Sequence, residues 1–141
     1  MTIHFNYKTV RRPDRTEVKT PSIPITISGE EKIETLALLD SGADISAISK
    51  EMAEILGLDI SGERKPAFGI GGKVDSIDTS MGIIVQKGHE KYSLTIPVKV
   101  IMSDFSFPVL LGRAGFFDKF IVSFHQANEK VSLKKLNMRS Y

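Results

Sequence analysis

The feature that most constrains the fold is an alternation of apolar and polar residues with a period of two, which recurs along the chain. Apolar side chains occupy every second position of residues 23–28 and of residues 94–100. Because successive side chains of a β-strand point to opposite faces, this pattern predicts half-buried strands. Pro24 and Pro97 lack the N–H that a strand ladder uses, so we expect each to lie at a sheet edge or a bulge.

Further apolar segments extend the predicted β content. Residues 36–39 are continuously apolar, which is typical of a strand buried on both faces, and a second run, residues 107–111, stops at Gly112. Alternation returns in residues 120–124 and again in residues 131–133. Short strands separated by Gly and Pro predict an all-β fold, either a barrel or a sandwich.

One segment has the signals of a helix. Ser49 can cap its N-terminus and Gly57 can take the left-handed conformation that ends it. The apolar face of this helix is predicted to consist of Met52, Ile55 and Leu56. A shorter helical turn is predicted over residues 114–118, and the polar, charged residues 9–20 predict a mobile loop or arm.

Size and composition bound the function. The 141 residues predict a single domain, 1–141, in which residues 1–20 form an N-terminal arm or a strand plus loop. The chain has no cysteine, which excludes disulfides and thiolate chemistry and favours a cytoplasmic location. A net charge of +2 with scattered basic residues argues against a nucleic-acid partner. No apolar stretch is long enough to predict a membrane span, so no membrane partner is expected either.

Asp40 is the leading candidate for chemistry. It directly follows a predicted buried strand and precedes Ser41 and Gly42, which would hold its carboxylate at the end of a rigid element. Taken alone, Asp-Ser-Gly is more often a turn whose aspartate caps its own backbone. The context changes this interpretation, because a glycine-rich segment at residues 68–73 and a Leu-Gly-Arg run at residues 111–113 follow in the chain.

In these motifs, and in their order, the chain resembles the retropepsin-like, or retroviral-type, aspartic proteases. The family's strand ending in Asp-Thr/Ser-Gly-Ala is matched by residues 38–43, its glycine-rich flap by residues 69–72, and its Ile/Leu-Gly-Arg run by residues 111–113. The resemblance spans residues 23–133. It implies an all-β, closed β-barrel of the retropepsin-like acid protease type, with one or two short helices.

The resemblance also implies roles for individual residues. Asp40, Ser41 and Gly42 would form the catalytic loop, with Asp40 as the catalytic carboxylate and Ser41 hydrogen-bonded across a dimer. Arg113 would give structural support through an internal ion pair with Asp44. The substrate-binding residues implied by the resemblance are Ala43, Asp44, Phe68, Gly69, Ile70 and Gly71.

The acid-base chemistry independently predicts a homodimer, because it needs two carboxylates close enough to share one proton. The chain offers one Asp-Ser-Gly motif. Asp78-Thr79-Ser80 lacks the glycine and does not follow a buried run, so we interpret it as part of a strand or turn. A twofold axis would bring a second Asp40 beside the first. This mechanism requires no cofactor and no metal.

Other functions fit the sequence less well. A phosphate-binding loop would need Ser or Thr, and a dinucleotide-binding fingerprint would need Gly, where Val74 follows the glycine-rich segment. The three histidines are far apart, and no Gly-x-Ser-x-Gly elbow is present. The sequence therefore predicts a homodimeric aspartic endopeptidase acting on peptide or protein substrates. The alternatives are a non-catalytic module of the same fold for dimerisation or peptide binding, and a β-barrel binding domain in which Asp-Ser-Gly is coincidental.

Overall fold

A computed structural model describes residues 1–69 and 71–137. Within these ranges the chain forms twelve strands, one α-helix and two short 3-10 helices. The elements are β1 (Thr2–Asn6), β2 (Lys8–Arg11), β3 (Glu17–Thr20), β4 (Ser22–Ser28), β5 (Lys32–Leu39), β6 (Ser46–Ser49), α1 (Lys50–Leu56), β7 (Arg64–Gly69), β8 (Gly72–Lys87), β9 (Glu90–Ile101), β10 (Val109–Leu111), a 3-10 helix at Phe117–Lys119, β11 (Phe120–His125), a second 3-10 helix at Gln126–Asn128, and β12 (Lys130–Lys135).

The main sheet closes on itself. Its strands follow the order β4, β5, β10, β6, β9, β8 and β7, and an additional antiparallel pairing of β4 with β8 completes a ring. β1, β12 and β11 form a separate sheet, and β2 pairs only with β3. The prediction of a mainly β fold is confirmed.

The alternation of apolar and polar residues determines where the core lies. Ile23, Ile25 and Ile27 of β4 are buried, as are Ile96 and Val98 of β9. β1, β11 and β12 add their inward-facing side chains to the same cluster. The alternating segments therefore supply one continuous apolar interior, which is what stabilises a ring of short strands.

Both prolines lie where a strand lacks one neighbour, as expected. Pro24 is opposite Leu36 of β5, but the pairing of β4 with β8 begins only at Thr26. Pro97 is opposite Ser80 of β8, and β6 joins β9 only from Val98 onward. Because no strand pairs with either proline on its second side, the missing N–H removes no inter-strand hydrogen bond there.

The prediction for residues 36–39 is wrong in one respect. Ala37 and Leu39 are buried, but Leu36 retains 37% of its surface. Only one face of β5 points into the ring, so the apolar run alternates between the core and the outer face like any half-buried strand.

Residues 9–20 form a hairpin and not a loop, because β2 and β3 pair from Lys8 opposite Thr20 to Arg11 opposite Glu17. Asp14 fixes the turn: its Oδ1 accepts hydrogen bonds from the Thr16 hydroxyl at 2.6 Å and the Thr16 N–H at 2.9 Å. These bonds lower the pKa of the Asp14 carboxyl.

The helix has the predicted caps, and only Ile55 departs from the predicted apolar face, since Met52 packs half-buried against the core. The Ser49 hydroxyl accepts the Met52 N–H at 3.2 Å, and Gly57 adopts the left-handed conformation with φ of 72°. Ala53 and Leu56 are buried, while Ile55 is 53% exposed because it turns away from β6 and β9. The second predicted helical turn is a 3-10 helix that begins later, at Phe117.

Ser49→Ala is expected to lower the free energy of unfolding by about 1 kcal/mol, because the Met52 N–H loses its acceptor at a nearly buried position. Urea denaturation at fixed protein concentration measures the change. Ser93→Ala, at an exposed position of β9, is the matched control and should leave the midpoint unchanged. Equal midpoints for both variants would contradict the capping argument.

Candidate active site

Asp40 stands at the end of β5, beside the end of a parallel strand. Leu39 of β5 is in register with Leu111 of β10, and the Asp40 N–H donates to the Leu111 carbonyl at 3.0 Å. The two strands thus hold the backbone of Asp40 before the chain turns. This placement agrees with the expectation of a carboxylate at the end of a rigid element.

The turn after Asp40 is built by Asp40 itself. Its Oδ1 accepts the Gly42 N–H at 3.0 Å, and its carbonyl accepts the Ala43 N–H at 3.1 Å. The backbone-capping geometry considered as the ordinary interpretation is therefore present. It uses one carboxylate oxygen, and within residues 1–69 and 71–137 no side chain donates to the other oxygen of the half-buried Asp40.

A second loop clamps this turn from β10. The Arg113 N–H donates to the Ala43 carbonyl and the Ala114 N–H to the Asp44 carbonyl, each at 2.9 Å. Next to them, the Gly112 N–H donates to the buried Ser46 hydroxyl at 2.9 Å. The two loops are thus joined by their backbones, which fixes the position of the Asp40 turn.

Arg113 supports the turn, but not through the predicted partner. Its Nη1 donates to the Ser41 carbonyl at 3.0 Å, and among the described residues it forms no ion pair with Asp44. The Asp44 Oδ1 accepts the Ile45 N–H at 2.9 Å. The ion pair predicted between Arg113 and Asp44 is therefore wrong, because the guanidinium donates to the backbone of the Asp40 turn instead.

The glycine-rich segment is the turn of a hairpin. β7 and β8 pair antiparallel from Arg64 opposite Ile77 up to Gly69 opposite Gly72. Gly72 has φ of 112°, a conformation that favours glycine. Phe68, next to the tip, is 78% exposed. Ile70 was predicted to bind substrate and lies outside the described residues.

A cleft of about 880 Å³ lies between this hairpin and the Asp40 turn. Its volume is within the range of ligand-binding clefts. The predicted residues that line it are Asp40, Gly42, Ala43 and Asp44 from the turn, with Phe68, Gly69 and Gly71 from the hairpin. The structure thus brings together predicted residues that are separated by more than twenty positions in the chain. Ser41 and Arg113 do not line the cleft.

Residues 23–112 match the profile of a family described as Aspartyl protease. The chain belongs to this family. The matched region runs from β4 through the Asp40 turn and the hairpin to Gly112, so it contains every cleft-lining residue of the predicted site.

Solved structures place this aspartyl protease family member in a known fold. The match to a retropepsin-like aspartic protease from Rickettsia conorii covers 94% of this chain and 92% of that one, at 19% identity and a TM-score of 0.56. A second match, to the retroviral protease-like domain of Ddi1 from Leishmania major, covers 85% of this chain and 96% of that one, at 16% identity and a TM-score of 0.52. At identities this low the matches concern the fold alone. They confirm the predicted retropepsin-like fold. No curated protein matches the sequence.

Several residues of the cleft were not predicted. Phe105 and Phe107 form an aromatic pair with ring centroids 5.7 Å apart, and both line the cleft ahead of β10. Lys99 and Ile101 of β9 line it as well. Phe105 and Phe107 are two positions apart, just before a buried strand. This spacing is a sequence signal that could have identified them as a pair on one face. Lys99 has no comparable local signal.

Asp78 lies in the middle of β8, opposite Lys99, which agrees with its interpretation as a strand residue. The Lys99 Nζ donates to its Oδ1 at 3.0 Å, and the Lys65 Nζ lies 3.5 Å from its Oδ2. The hydrogen bond from Lys99 is the main cause that lowers the pKa of the Asp78 carboxyl, and Lys65 adds to it.

Residues 1–69 and 71–137 contain neither a metal-binding cluster nor a membrane-spanning helix. No group of three or more histidine, aspartate or glutamate side chains is arranged to hold a metal ion there. No helix in the same ranges is long and apolar enough to cross a membrane.

Proposed function

We propose that this aspartyl protease family member is an endopeptidase that works as a homodimer, with the two Asp40 carboxylates acting together on a water molecule. The observation that carries the proposal is the position of Asp40: a half-buried carboxylate, fixed by two strands and a clamped turn, at the wall of a cleft roofed by a hairpin. Each chain supplies one such motif, so a complete site needs a second copy.

In the proposed reaction one Asp40 is ionised and its copy is protonated. The ionised carboxylate takes a proton from water, and the resulting hydroxide attacks the carbonyl carbon of the scissile peptide bond. The protonated carboxyl donates its proton to the carbonyl oxygen, which gives a tetrahedral diol. Collapse of this intermediate breaks the C–N bond: the leaving nitrogen takes a proton from the protonated carboxyl, and a hydroxyl of the diol gives its proton to the ionised carboxylate. Neither a cofactor nor a metal takes part.

The surrounding residues have supporting roles in this proposal. Ser41, exposed beside Asp40, would hydrogen-bond across the twofold axis, and Gly42 would let the peptide backbone approach the carboxylates. Ala43 and Asp44 would contact the substrate main chain, which lies extended as an additional strand. Arg113 holds the loop through the Ser41 carbonyl. The hairpin tip, with Phe68, Gly69, Ile70 and Gly71, would close over the peptide and exclude water.

The test compares the chain with its Asp40→Asn variant on a mixed peptide library from acidic to neutral pH, with cleavage products identified by mass spectrometry. The proposal expects cleavage by the wild-type chain and none by the variant. Equal cleavage by both would assign the activity to a contaminant. If neither chain cleaves while both dimerise, the non-catalytic dimerisation or peptide-binding module becomes the better description.

The proposal includes the setting in which the enzyme works. Its partners are a second copy of the chain and a peptide or protein substrate, with no role for nucleic acid or a membrane. A cytoplasmic location is proposed because a chain without cysteine needs no oxidising compartment to fold.

A further inference from the structure

Lys99 is the one cationic side chain that lines the cleft among the described residues. It lies on β9 between Ala47 of β6 and Asp78 of β8, its partners in register. The Lys99 side chain keeps 22% of its surface, so it is mostly withdrawn from solvent. Its ammonium is held by Asp78 at 3.0 Å, on a side chain that lines the cleft.

The charge of Lys99 is only partly neutralised. Asp78 accepts from Lys99 at 3.0 Å, but the same carboxylate also lies 3.5 Å from the ammonium of Lys65. One carboxylate shared by two ammonium groups leaves the cluster with a net positive charge. An ammonium has three donors, and within residues 1–69 and 71–137 Asp78 is the only acceptor of Lys99.

The other described residues that line the cleft carry no positive charge. Most of the other side chains that line the cleft are apolar, including Ile101, Leu110 and Phe107. The other ionisable groups in the lining are Asp40 and Asp44, both acidic, and Asp44 already accepts the Ile45 N–H. An extended peptide that fills the cleft removes water from Lys99, and an ammonium donor left without an acceptor in an apolar setting is costly. A carboxylate on the peptide would supply that acceptor.

We propose that Lys99 is a specificity-determining residue that binds an acidic side chain of the substrate. This inference rests on the proposed homodimeric peptidase. Because a twofold axis gives the complete cleft two copies of Lys99, one in each half, acidic residues should be favoured on both sides of the cleaved bond, at matching distances from it. A single asymmetric preference would not follow from this geometry.

The test uses peptide pairs that differ only by Glu against Gln at one position, scanned along both sides of the cleavage site at a pH where glutamate is ionised. The wild-type chain is expected to show about a tenfold higher kcat/KM for Glu at one position on each side, the size typical of a hydrogen bond to a charged group. Lys99→Met should remove the preference, so that kcat/KM for each Glu peptide equals that for its Gln partner in this variant. Lys99→Arg should retain it, and added salt should weaken it.

Lys32→Met, at an exposed position at the start of β5, is the matched control and should keep the full preference. Thermal unfolding of each variant checks that the fold is intact. The same Glu and Gln peptides are also tested for binding to Asp40→Asn and to Asp40→Asn/Lys99→Met, which separates recognition from turnover. Absence of cleavage by the wild-type chain would count against the proposed function, whereas an unchanged Glu preference in Lys99→Met, in cleavage or in binding, would overturn the inference about Lys99.

Discussion

Asp40→Asn is expected to lower kcat/KM for peptide hydrolysis by at least about a thousandfold, because the site then has no carboxylate that can take a proton from water. The fold should survive the change. The Asp40 side chain accepts only the Gly42 N–H among its described contacts, and the amide oxygen of asparagine can accept the same bond. Thermal unfolding and sedimentation of the variant check that its stability and assembly match those of the wild-type chain.

A mixing experiment tests the requirement for two copies. With about a tenfold excess of Asp40→Asn and free exchange of subunits, about ten of every eleven wild-type chains pair with a variant chain. Because a mixed dimer holds one carboxylate, the activity per wild-type chain should fall about elevenfold. Initial rates measured after equilibration, at a protein concentration where the chain is dimeric, give this ratio.

An excess of Asp59→Asn is the matched control for mixing. The Asp59 carboxylate only fixes an exposed turn, where it accepts the Ser61 N–H at 3.0 Å, and it does not line the cleft. Adding this variant should raise the total activity. If excess Asp40→Asn leaves the activity per wild-type chain unchanged, each chain cleaves alone and the two-carboxylate site is ruled out.

The parts of the fold that were predictable from the sequence are those encoded locally. The period of two identified β4 and β9 because one face of each strand is buried in the ring. Ser49 and Gly57 marked the ends of α1 because each satisfies backbone groups within four positions of itself. The Asp40 turn was also found from neighbouring residues, since Asp40 bonds to Gly42 and Ala43.

The parts that were missed depend on which strands become neighbours. Leu36 is exposed and Ala37 buried only because one side of β5 faces the ring, which an unbroken apolar run cannot reveal. Arg113 contacts the Ser41 carbonyl because the β10 loop lies against the Asp40 turn, seventy-two positions away in sequence. Lys99 lines the cleft because β9 pairs in register with Ala47 of β6 and Asp78 of β8. Neither pairing can be inferred from the residues around Lys99.

Gly112→Ala is expected to lower the free energy of unfolding by about 3 kcal/mol, near the upper end of the usual cost of overpacking. A Cβ at this position would lie 2.6 Å from the Ile45 carbonyl carbon, 2.8 Å from the Ile45 oxygen and 2.9 Å from the Ser46 nitrogen. All three are backbone atoms, so no side chain can rotate away to relieve the contact. Urea denaturation at fixed protein concentration measures the loss.

The methyl group added in Gly112→Ala should reduce activity more than the loss of folding stability alone explains. Moving the Gly112 loop away from Ile45 strains the hydrogen bonds from Arg113 to Ala43 and from Ala114 to Asp44 that clamp the Asp40 turn. Gly69→Ala is the matched control for stability, since a Cβ there meets nothing within 4 Å. Activity of Gly112→Ala is compared with that of the wild-type chain at a temperature and urea concentration where both are folded. A Gly112→Ala chain as stable as Gly69→Ala would show that the two loops are not packed as closely as described, and the support for a fixed Asp40 would be lost with it.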